Sequence, residues 1–379
     1  MTKLEELIEK LCPDGVEYKE LSEVLTIKNG KDYKHFGEGN VPVYGSGGIM
    51  TYIDTAVYEK PSVLIPRKGS LDKLYFVQEP FWTVDTIFYT DINADIVEPK
   101  YIFYYLQKEH LEKLNKAGGV PSLTQSVLNK VKLPVPPLEV QREIVRILDN
   151  FTFLTAELAA ELAARQKQYE YYRDLLLTFK SNESTILNER TNELEINAPV
   201  RWMKLGDIAD IKRGIRVVKK QLITEGKYPV YQNSLEPMGY FNKYNCEAET
   251  TYVISAGAAG EIGFCNKKFW AADDCLIFID TKNVNNKFIY YSLLVRKNIL
   301  LANVRKASIP RLSRIVVENL IIPVPPLEVQ QRIVDILDRF DSLCNDISSG
   351  LPAEIEMRQK QYEYYRDKLL TFKELKKEA

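Results

Sequence analysis

Apolar residues recur at steps of three, four and seven in one long segment in the middle of the chain. This spacing places them on one face of an α-helix. Pro136 and Pro137 end the extended segment before it, and Pro137 suits a first helical turn. We therefore predict one helix over residues 138–179, about 63 Å long. The apolar positions are Ile144, Ile147, Phe151, Leu154, Leu158, Leu162, Tyr169, Tyr172, Leu176 and Phe179.

The same helical pattern returns near the C-terminus, over residues 327–372. This copy is four residues longer and contains Gly350 and Pro352, which predict an interruption or a kink. Two helices of this length each need a partner for their apolar stripe, so we expect them to form an antiparallel coiled coil. A helix lying on a membrane surface is the alternative, but residues 138–198 hold 7 Lys/Arg against 11 Asp/Glu, which disfavours it.

The two helices belong to an internal duplication. Residues 134–151 recur at 323–340 with 14 of 18 positions identical, and residues 165–180 recur at 358–373 with 15 of 16 identical. The segments before each helix match only faintly, but in the same order. These matches are Val41–Tyr44 with Tyr228–Tyr231, Phe81, Trp82 and Asp85 with Phe269, Trp270 and Asp273, and Pro121 and Leu123 with Pro310 and Leu312. The period of about 188 residues indicates a duplicated domain pair and not a solenoid.

The divergent part of each copy reads as an α+β globule. β-branched and aromatic runs between Gly, Pro and Asn residues predict strands at Ser62–Ile65, Thr86–Tyr89, Thr251–Ile254 and Cys275–Ile279. Short helices are expected at Tyr101–Leu114 and Phe288–Leu300, and an acidic amphipathic helix at Met1–Leu11. The predicted domains are 1–136 (N-terminal helix and first globule), 137–180 (spacer helix), 181–325 (linker and second globule) and 326–379 (second spacer helix).

Charge is distributed unevenly although the chain carries a net charge of only −1. Residues 199–326 hold 19 Lys/Arg against 11 Asp/Glu, whereas residues 13–137 hold 14 against 16. The second globule is therefore basic enough to favour a nucleic acid, and the first would need a local patch. The five cysteines show no C-x-x-C spacing, which is typical of reduced thiols in the cytoplasm, and no stretch is apolar enough to span a membrane.

Catalytic motifs are missing from the sequence. The two histidines, His35 and His110, lie in unrelated contexts, and neither a P-loop nor an amino-methyltransferase motif occurs. Gly257, Gly260 and Gly263 are better explained as a tight turn than as a phosphate cradle. Asp85, Glu98 and Lys100 have the spacing of a nuclease centre, but the second copy keeps only the aspartate, so chance explains them more simply. No catalytic residue and no metal site is predicted.

DNA reading requires Lys or Arg for phosphates and Arg, Asn, Gln or Ser for base edges. Both globules carry such residues in short segments at corresponding places. In the first globule the candidates are Lys28, Lys31, Lys34, Ser46, Arg67, Lys68 and Lys73. In the second they are Lys212, Arg213, Arg216, Lys219, Lys220, Gln232, Asn233, Ser234, Arg305, Lys306 and Arg311.

The near-identical helix segments suggest a second kind of binding. Positions predicted to face outwards are the same in both copies, which packing alone does not require, and a recent duplication would have left the globules alike as well. Two equal surfaces indicate two copies of one protein partner. The candidate docking residues are Gln168, Tyr171, Arg173, Gln361, Tyr364 and Arg366.

Two divergent globules, each followed by a near-identical P-x-P-P-L-E-x-Q…Q-Y-E-Y-Y-R-D helix, resemble the specificity subunit of type I restriction–modification enzymes. The resemblance covers essentially the whole chain. It implies two target-recognition domains in inverted orientation, related by a pseudo-two-fold axis, and a non-catalytic subunit that reads double-stranded DNA for defence against foreign DNA. It also implies two methyltransferase subunits, which use S-adenosylmethionine, and two restriction–translocase subunits, which use ATP and magnesium.

The two long helices would hold the globules at a fixed separation. This predicts a bipartite, asymmetric DNA site with half-sites about one turn apart and an unread gap of about six base pairs. Two other functions remain open from the sequence. A methyltransferase–specificity fusion would require a cofactor motif, which is not visible. An assembly scaffold would bind no DNA, which a mobility-shift measurement with the methyltransferase partner would reveal.

Overall fold

The structure is a computed structural model that describes residues 2–115, 121–179, 183–187, 194–346 and 348–375. The chain forms two compact units. Unit 1 comprises Met1–Ala159 and Glu354–Ala379, and unit 2 comprises Ala160–Ala353. The boundary between residues 159 and 160 lies inside the predicted spacer helix, so packing divides the chain at other places than the sequence-based domain boundaries.

The described residues of unit 1 form three sheets. A four-stranded antiparallel sheet has the order β2-β8-β5-β6, a three-stranded sheet has the order β4-β3-β7 with β3 and β7 parallel, and β1 pairs with β9. The elements are α1 Lys3–Leu11, β1 Glu17–Glu20, α2 Leu21–Val24, β2 Leu25–Asn29, β3 Val41–Gly45, β4 Gly48–Ile53, β5 Ser62–Pro66, β6 Tyr75–Val77, β7 Trp82–Thr83, β8 Ile87–Ile92, α3 Pro99–Lys108, α4 Gln125–Leu128, β9 Lys132–Val135 and the first half of α5 Leu138–Leu177.

Unit 2 repeats the nine strands of this plan and has two further strands, which pair with each other. Its sheets have the orders β13-β19-β16-β17, β15-β14-β18 and β12-β20. The elements after α5 are β10 Glu183–Leu187, β11 Leu194–Pro199, β12 Arg201–Lys204, α6 Leu205–Ile208, β13 Asp210–Arg213, β14 Tyr228–Tyr231, β15 Gly239–Phe241, β16 Thr250–Ile254, β17 Ile262–Cys265, β18 Trp270–Ala271, β19 Cys275–Ile279, α7 Asn286–Val295, α8 Lys297–Ala302, α9 Arg314–Glu318, β20 Ile321–Val324, α10 Leu327–Asn345 and α11 Leu351–Leu369, most of which belongs to unit 1. The predicted duplication is therefore confirmed at the level of topology.

The predicted strands and short helices are present with shifted ends. Each short helix is broken in two, since α3 is followed by a 3₁₀ turn at Leu111–Leu114 and α7 by α8. The first break coincides with His110, whose backbone is left-handed with a φ of 49°. In the predicted linker, β10 and β11 form a hairpin, while residues 181–182 and 188–193 lie outside the described residues.

The long central helix forms as predicted, and the C-terminal copy is interrupted as predicted. Gly350 ends the interruption between α10 and α11, and a Cβ at this position would lie 2.5 Å from the Ser342 carbonyl oxygen. The predicted apolar stripe of α5 is wrong at one position, because Leu154 is 46% exposed and does not pack inwards. A continuous antiparallel coiled coil remains a prediction. No helix in the described part of the chain has the length and hydrophobicity required to cross a membrane.

The repeated P-P-L-E-V-Q sequence joins each long helix to its globule. Gln141 is fully buried, and its amide accepts a hydrogen bond from the Glu98 backbone N–H at 2.8 Å and donates one to the Pro136 carbonyl at 2.7 Å. Gln330 is equally buried and donates to the Pro325 carbonyl, also at 2.7 Å. Because these bonds satisfy backbone groups that would otherwise be buried unpaired, the glutamine is retained in both copies for structural reasons.

Candidate nucleic-acid interface and docking surface

In unit 1 the turn that follows β5 is anchored to two other segments. The Arg67 N–H donates to the Thr86 carbonyl at 2.9 Å, and the Gly69 N–H donates to the Pro121 carbonyl at 3.2 Å. The Leu123 N–H donates to the Arg67 carbonyl at 2.9 Å. The last two bonds bring together residues that are more than 50 positions apart in the sequence. We call this arrangement the turn frame of unit 1.

Side chains from three segments surround this turn frame. Lys68 and Ser122 face each other in an antiparallel bridge. Gly69 has a φ of +87°, and a Cβ there would lie 3.3 Å from the Ser46 hydroxyl oxygen. The Tyr75 hydroxyl donates to the Ser46 carbonyl at 3.3 Å. Of the predicted DNA-binding residues of unit 1, the structure therefore brings Ser46, Arg67 and Lys68 together.

Unit 2 contains the same turn frame after β16. The Ser255 N–H donates to the Asp274 carbonyl at 2.7 Å, and the Gly257 N–H donates to the Pro310 carbonyl at 3.2 Å. The Leu312 N–H donates to the Ser255 carbonyl at 2.8 Å. Gly257 has a φ of +84°, close to that of its counterpart in unit 1. The predicted tight turn is thus confirmed for this glycine, and a glycine is required because the left-handed backbone disfavours other residues.

The side chains around the second turn frame differ from those around the first. Ala256 and Arg311 form the antiparallel bridge, and Arg311 also pairs with Arg305 through backbone bonds of 2.8 and 3.2 Å. A Cβ on Gly257 would lie 2.8 Å from the Asn233 Cβ. Asn233, Arg305 and Arg311 are exposed and come from two of the predicted DNA-binding segments, which the fold brings together.

A second contact occurs at equivalent positions inside each unit. The Trp82 indole N–H donates to the Lys31 carbonyl at 2.9 Å, and the Trp270 indole N–H donates to the Ile215 carbonyl at 2.8 Å. The tryptophans therefore hold equivalent loops in place. The exposed side chain carried by that loop is a lysine in unit 1 and an isoleucine in unit 2.

The other candidates of unit 1 are not brought to the turn frame by any observed contact. Lys28 lies on β2, where its ammonium pairs with Asp91 at 2.7 Å. This lysine and the Tyr58 hydroxyl, both hydrogen-bonded to the carboxylate, lower the pKa of Asp91. Lys34 and Lys73 are exposed in loops.

In unit 2 several further candidates are exposed on the segment from β13 to the following 3₁₀ turn. Lys212 pairs with Asp210 at 2.9 Å. The Gln232 amide donates to the Asp274 carboxylate at 3.3 Å, which places it beside the turn frame. The Ser234 hydroxyl donates to the Glu236 carbonyl. The remaining exposed candidates are Arg213, Arg216, Lys219, Lys220 and Lys306.

Sequence reasoning missed Thr86, Ser122 and Asp274, which also border the turn frames. Ser122 could have been found from the faint match of residues 121–123 with 310–312, because Ser122 and Arg311 are the middle residues of those triplets. Thr86 and Asp274 could have been found because they directly follow the matched aspartates Asp85 and Asp273. Asp85 does not join Glu98 and Lys100 in any observed contact, since Lys100 pairs with Asp149 at 2.8 Å. Among the described residues no group of three or more His, Cys, Asp or Glu could hold a metal ion.

The duplicated helix segments present one aromatic side chain each to solvent. Tyr171 is 63% exposed and Tyr364 is 62% exposed. Each ring meets that of the following tyrosine edge to face, with centroid distances of 5.4 Å and 5.3 Å. The following tyrosines pack inwards, Tyr172 on Phe340 within unit 2 and Tyr365 on Phe151 within unit 1. We call these two exposed surfaces the tyrosine faces.

The expectation that the arginines of this motif point outwards is wrong for Arg366, which is only 8% exposed, while Arg173 is half-buried. Each guanidinium lies 5.7 Å from the ring centre of a tyrosine four residues earlier, Tyr169 or Tyr362. The cation–π contact and the adjacent aspartate draw the arginine against its own helix. Gln168 and Gln361 are half-buried and accept hydrogen bonds from arginines three residues before them.

Comparison with known proteins agrees with this architecture. The sequence profile of the type I restriction modification DNA specificity domain matches residues 13–165 and residues 199–357. The chain belongs to the type I restriction–modification specificity subunit family. A Haemophilus influenzae chain described as a type I restriction enzyme specificity subunit is 32% identical over 98% of both chains. The EcoR124I/EcoR124II specificity subunit of Escherichia coli is 34% identical over 72% of this chain and 70% of its own length.

Solved specificity subunits share the fold. The S subunit of the type I restriction–modification system of M. genitalium aligns over 94% of this chain and 96% of its own, with a TM-score of 0.64 and 17% identity. A chain from a study of complex assembly in the type I system aligns over 95% and 98%, with a TM-score of 0.61 and 16% identity. The resemblance noted from the repeated helices is therefore confirmed, and in this specificity subunit each profile match contains one turn frame.

Proposed function

We propose that this specificity subunit reads a bipartite, asymmetric site in double-stranded DNA, one half-site with each unit, and performs no catalysis itself. The observation that carries the proposal is the turn frame, which occurs once in each unit with the same backbone bonds but different side chains. Equal frames with unequal side chains are what two readers of different base sequences require. The site is expected to be asymmetric because the two sets of side chains differ.

The tyrosine faces support a proposal about partners. Their exposure is equal, and each lies next to a tyrosine that is packed inwards. Large exposed aromatic side chains are frequent anchors of protein interfaces. We expect each face to bind one methyltransferase subunit, so that the chain assembles with two. Two restriction–translocase subunits would complete the complex in the cytoplasm, with S-adenosylmethionine, ATP and magnesium bound by the partners.

The stoichiometry is tested by replacing one tyrosine face at a time. Tyr171→Ala and Tyr364→Ala should each yield a complex with one methyltransferase subunit, and the double variant a complex with none, as measured by native mass spectrometry of the co-expressed proteins. Phe153→Ala is a matched control, because Phe153 is 62% exposed on α5 but is replaced by Ser342 in the other copy. A single methyltransferase subunit per native chain would contradict two equal docking faces.

The DNA-reading proposal is tested separately in the assembled complex. Mapping of methylated adenines in a host that carries the system should reveal one motif with two defined half-sites and an unread gap of about six base pairs. Exchanging residues 13–136 for those of another family member should change one half-site only. Damage to both half-sites by that exchange would contradict separate readers.

A further inference from the structure

Each turn frame contains one antiparallel bridge, and the residues that form this bridge differ between the two units in a regular way. In unit 1 the bridge joins Lys68 and Ser122, and in unit 2 it joins Ala256 and Arg311. Each bridge therefore carries one cation, but on opposite strands of the bridge. Both cations are exposed, whereas Ala256 is only 4% exposed. Each bridge therefore presents its cation from a different segment of the turn frame.

The position next to each bridge differs as well. Ser46 lies beside Gly69 in unit 1, and Asn233 lies beside Gly257 in unit 2. A serine hydroxyl hydrogen-bonds to several bases, whereas an asparagine amide can bind the adenine edge through two bonds at once. An arginine guanidinium binds guanine in the same bidentate way, which the single ammonium group of a lysine reproduces less specifically.

We propose that these three positions determine sequence specificity: the residue beside the glycine and the two residues of the bridge. They are Ser46, Lys68 and Ser122 in unit 1 and Asn233, Ala256 and Arg311 in unit 2. In unit 2 Arg311 and Asn233 contact base edges. The inference rests on the proposed DNA-reading function and adds which side chains select the bases. Ser122 takes part although it belongs to no basic segment.

The structure also explains why the exposed residues among these, Lys68, Asn233 and Arg311, can vary without harm to the fold. The frame is held by backbone groups of its segments, so the side chains at the bridge contribute none of its hydrogen bonds. Substitution at Asn233 or Arg311 changes exposed atoms only. A family whose members read different sequences needs such positions, because a change of specificity must leave the fold intact.

The test uses Arg311→Lys and Asn233→Ser in the full chain, co-expressed with its methyltransferase partner. The first substitution keeps the positive charge but removes the bidentate group, and the second installs the side chain of unit 1. Binding is measured by competition between duplexes that differ at single base pairs, and the methylated motif is mapped in the host. In each variant, the preference for the native base pair over the alternatives should fall on the order of tenfold at one position of one half-site. The other half-site and the gap should stay unchanged.

Arg201→Lys is the matched control, since Arg201 is exposed on β12, in a different sheet from the turn frame. An equal loss of affinity for every duplex, with the base preference unchanged, would assign Arg311 to a phosphate and overturn the proposal. An unchanged motif with both variants would overturn it too, while leaving the proposed function standing. A native protein with no defined motif would instead overturn the proposed function, and this proposal with it.

Discussion

At the residue scale, the identities between the two copies have two different causes. Gln141 and Gln330 are the same because each satisfies buried backbone groups where a long helix leaves its globule. Tyrosine also occurs in both copies at Tyr171 and Tyr364, although most of each side chain is exposed to solvent. Sequence identity alone does not separate a structural glutamine from a tyrosine that we expect to bind a partner, whereas burial does.

Replacement of the buried glutamine should destabilise its unit. Gln330→Ala would leave the Asn285 N–H and the Pro325 carbonyl without their present partner, so we expect the free energy of unfolding to fall by about 1–3 kcal/mol. Denaturant titration of the variant measures this loss. The neighbouring substitution Gln331→Ala removes exposed bonds only and should cost less than about 1 kcal/mol. Equal losses in both variants would contradict the anchoring role.

The stability of unit 1 should depend on pH through a buried carboxylate, and unit 2 has no carboxylate at the matching position. The Arg146 guanidinium, bonded at 2.6 Å, and then Lys3 at 2.9 Å lower the pKa of Glu143 to about 2. The corresponding residue in the other copy is Arg332. The folded-state pKa is below the unfolded value of about 4.3, so this contribution to stability is present above that value and is lost as the pH falls towards 2.

Glu143→Gln tests this contribution. The variant should be less stable than the native protein at pH 7, and the difference should shrink between about pH 4.5 and 2, because the native carboxylate becomes neutral there. Thermal unfolding across this pH range measures it. Glu328→Gln at the exposed start of α10 should change stability at pH 7 by less than about 0.5 kcal/mol. A stability difference that stays constant down to pH 2 would show that the ion pair is not its source.

At the scale of the element, the two long helices differ because of a few residues. α5 continues through residues 155–162, where the sequence repeats an Ala-Glu-Leu pattern of strong helix formers. Its counterpart stops at Asn345 and restarts at Leu351. Asp346 accepts hydrogen bonds from the Ser348 and Ser349 hydroxyls, which lower its pKa to about 2 and fix the turn. These bonds therefore hold the described residues of the turn, 346 and 348–350, in one arrangement.

Gly350→Ala should disrupt this turn. The new Cβ would approach the carbonyl oxygens of Ser342, Leu343 and Asp346 within 2.5–2.8 Å, and backbone atoms cannot move aside cheaply. We expect a loss of about 1–3 kcal/mol in the free energy of unfolding, seen as a lower melting temperature. Gly47→Ala is the matched control, because nothing lies within 4 Å of a Cβ at that position. A melting temperature unchanged by Gly350→Ala would mean that the turn opens freely.

At the scale of the whole molecule, α5 begins inside the first profile match and continues 12 residues beyond its end towards the second. Adding one more Ala-Ala-Glu-Leu unit after Leu162 would lengthen this helix by about 6 Å and rotate the chain beyond the insertion by about 40°. We expect the preferred gap of the DNA site to change by roughly one base pair, while both half-site sequences stay the same. Methylome comparison of the native and extended proteins measures the gap.

The insertion has two informative contrary results. A fully active extended protein with an unchanged gap would show that the helix does not set the spacing of the half-sites. Altered bases in either half-site would show that the readers and the spacer are not independent. Replacing Ala163 by Gln within the same segment, without any insertion, serves as the control for local effects, and it should leave the motif as it is.

The sequence by itself determined the duplication, the long helix, the break at Gly350 and the family, because periodicity and repeated residues are local properties of the chain. Tertiary structure alone decided which candidates meet, since Arg67, Thr86 and Pro121 become neighbours only through backbone bonds between distant segments. It also decided that Arg366 is buried, because a contact with a tyrosine one turn away competes with exposure to water. Helical spacing determines on which face of the helix a residue lies, whereas the neighbouring side chains determine whether its side chain is exposed or buried.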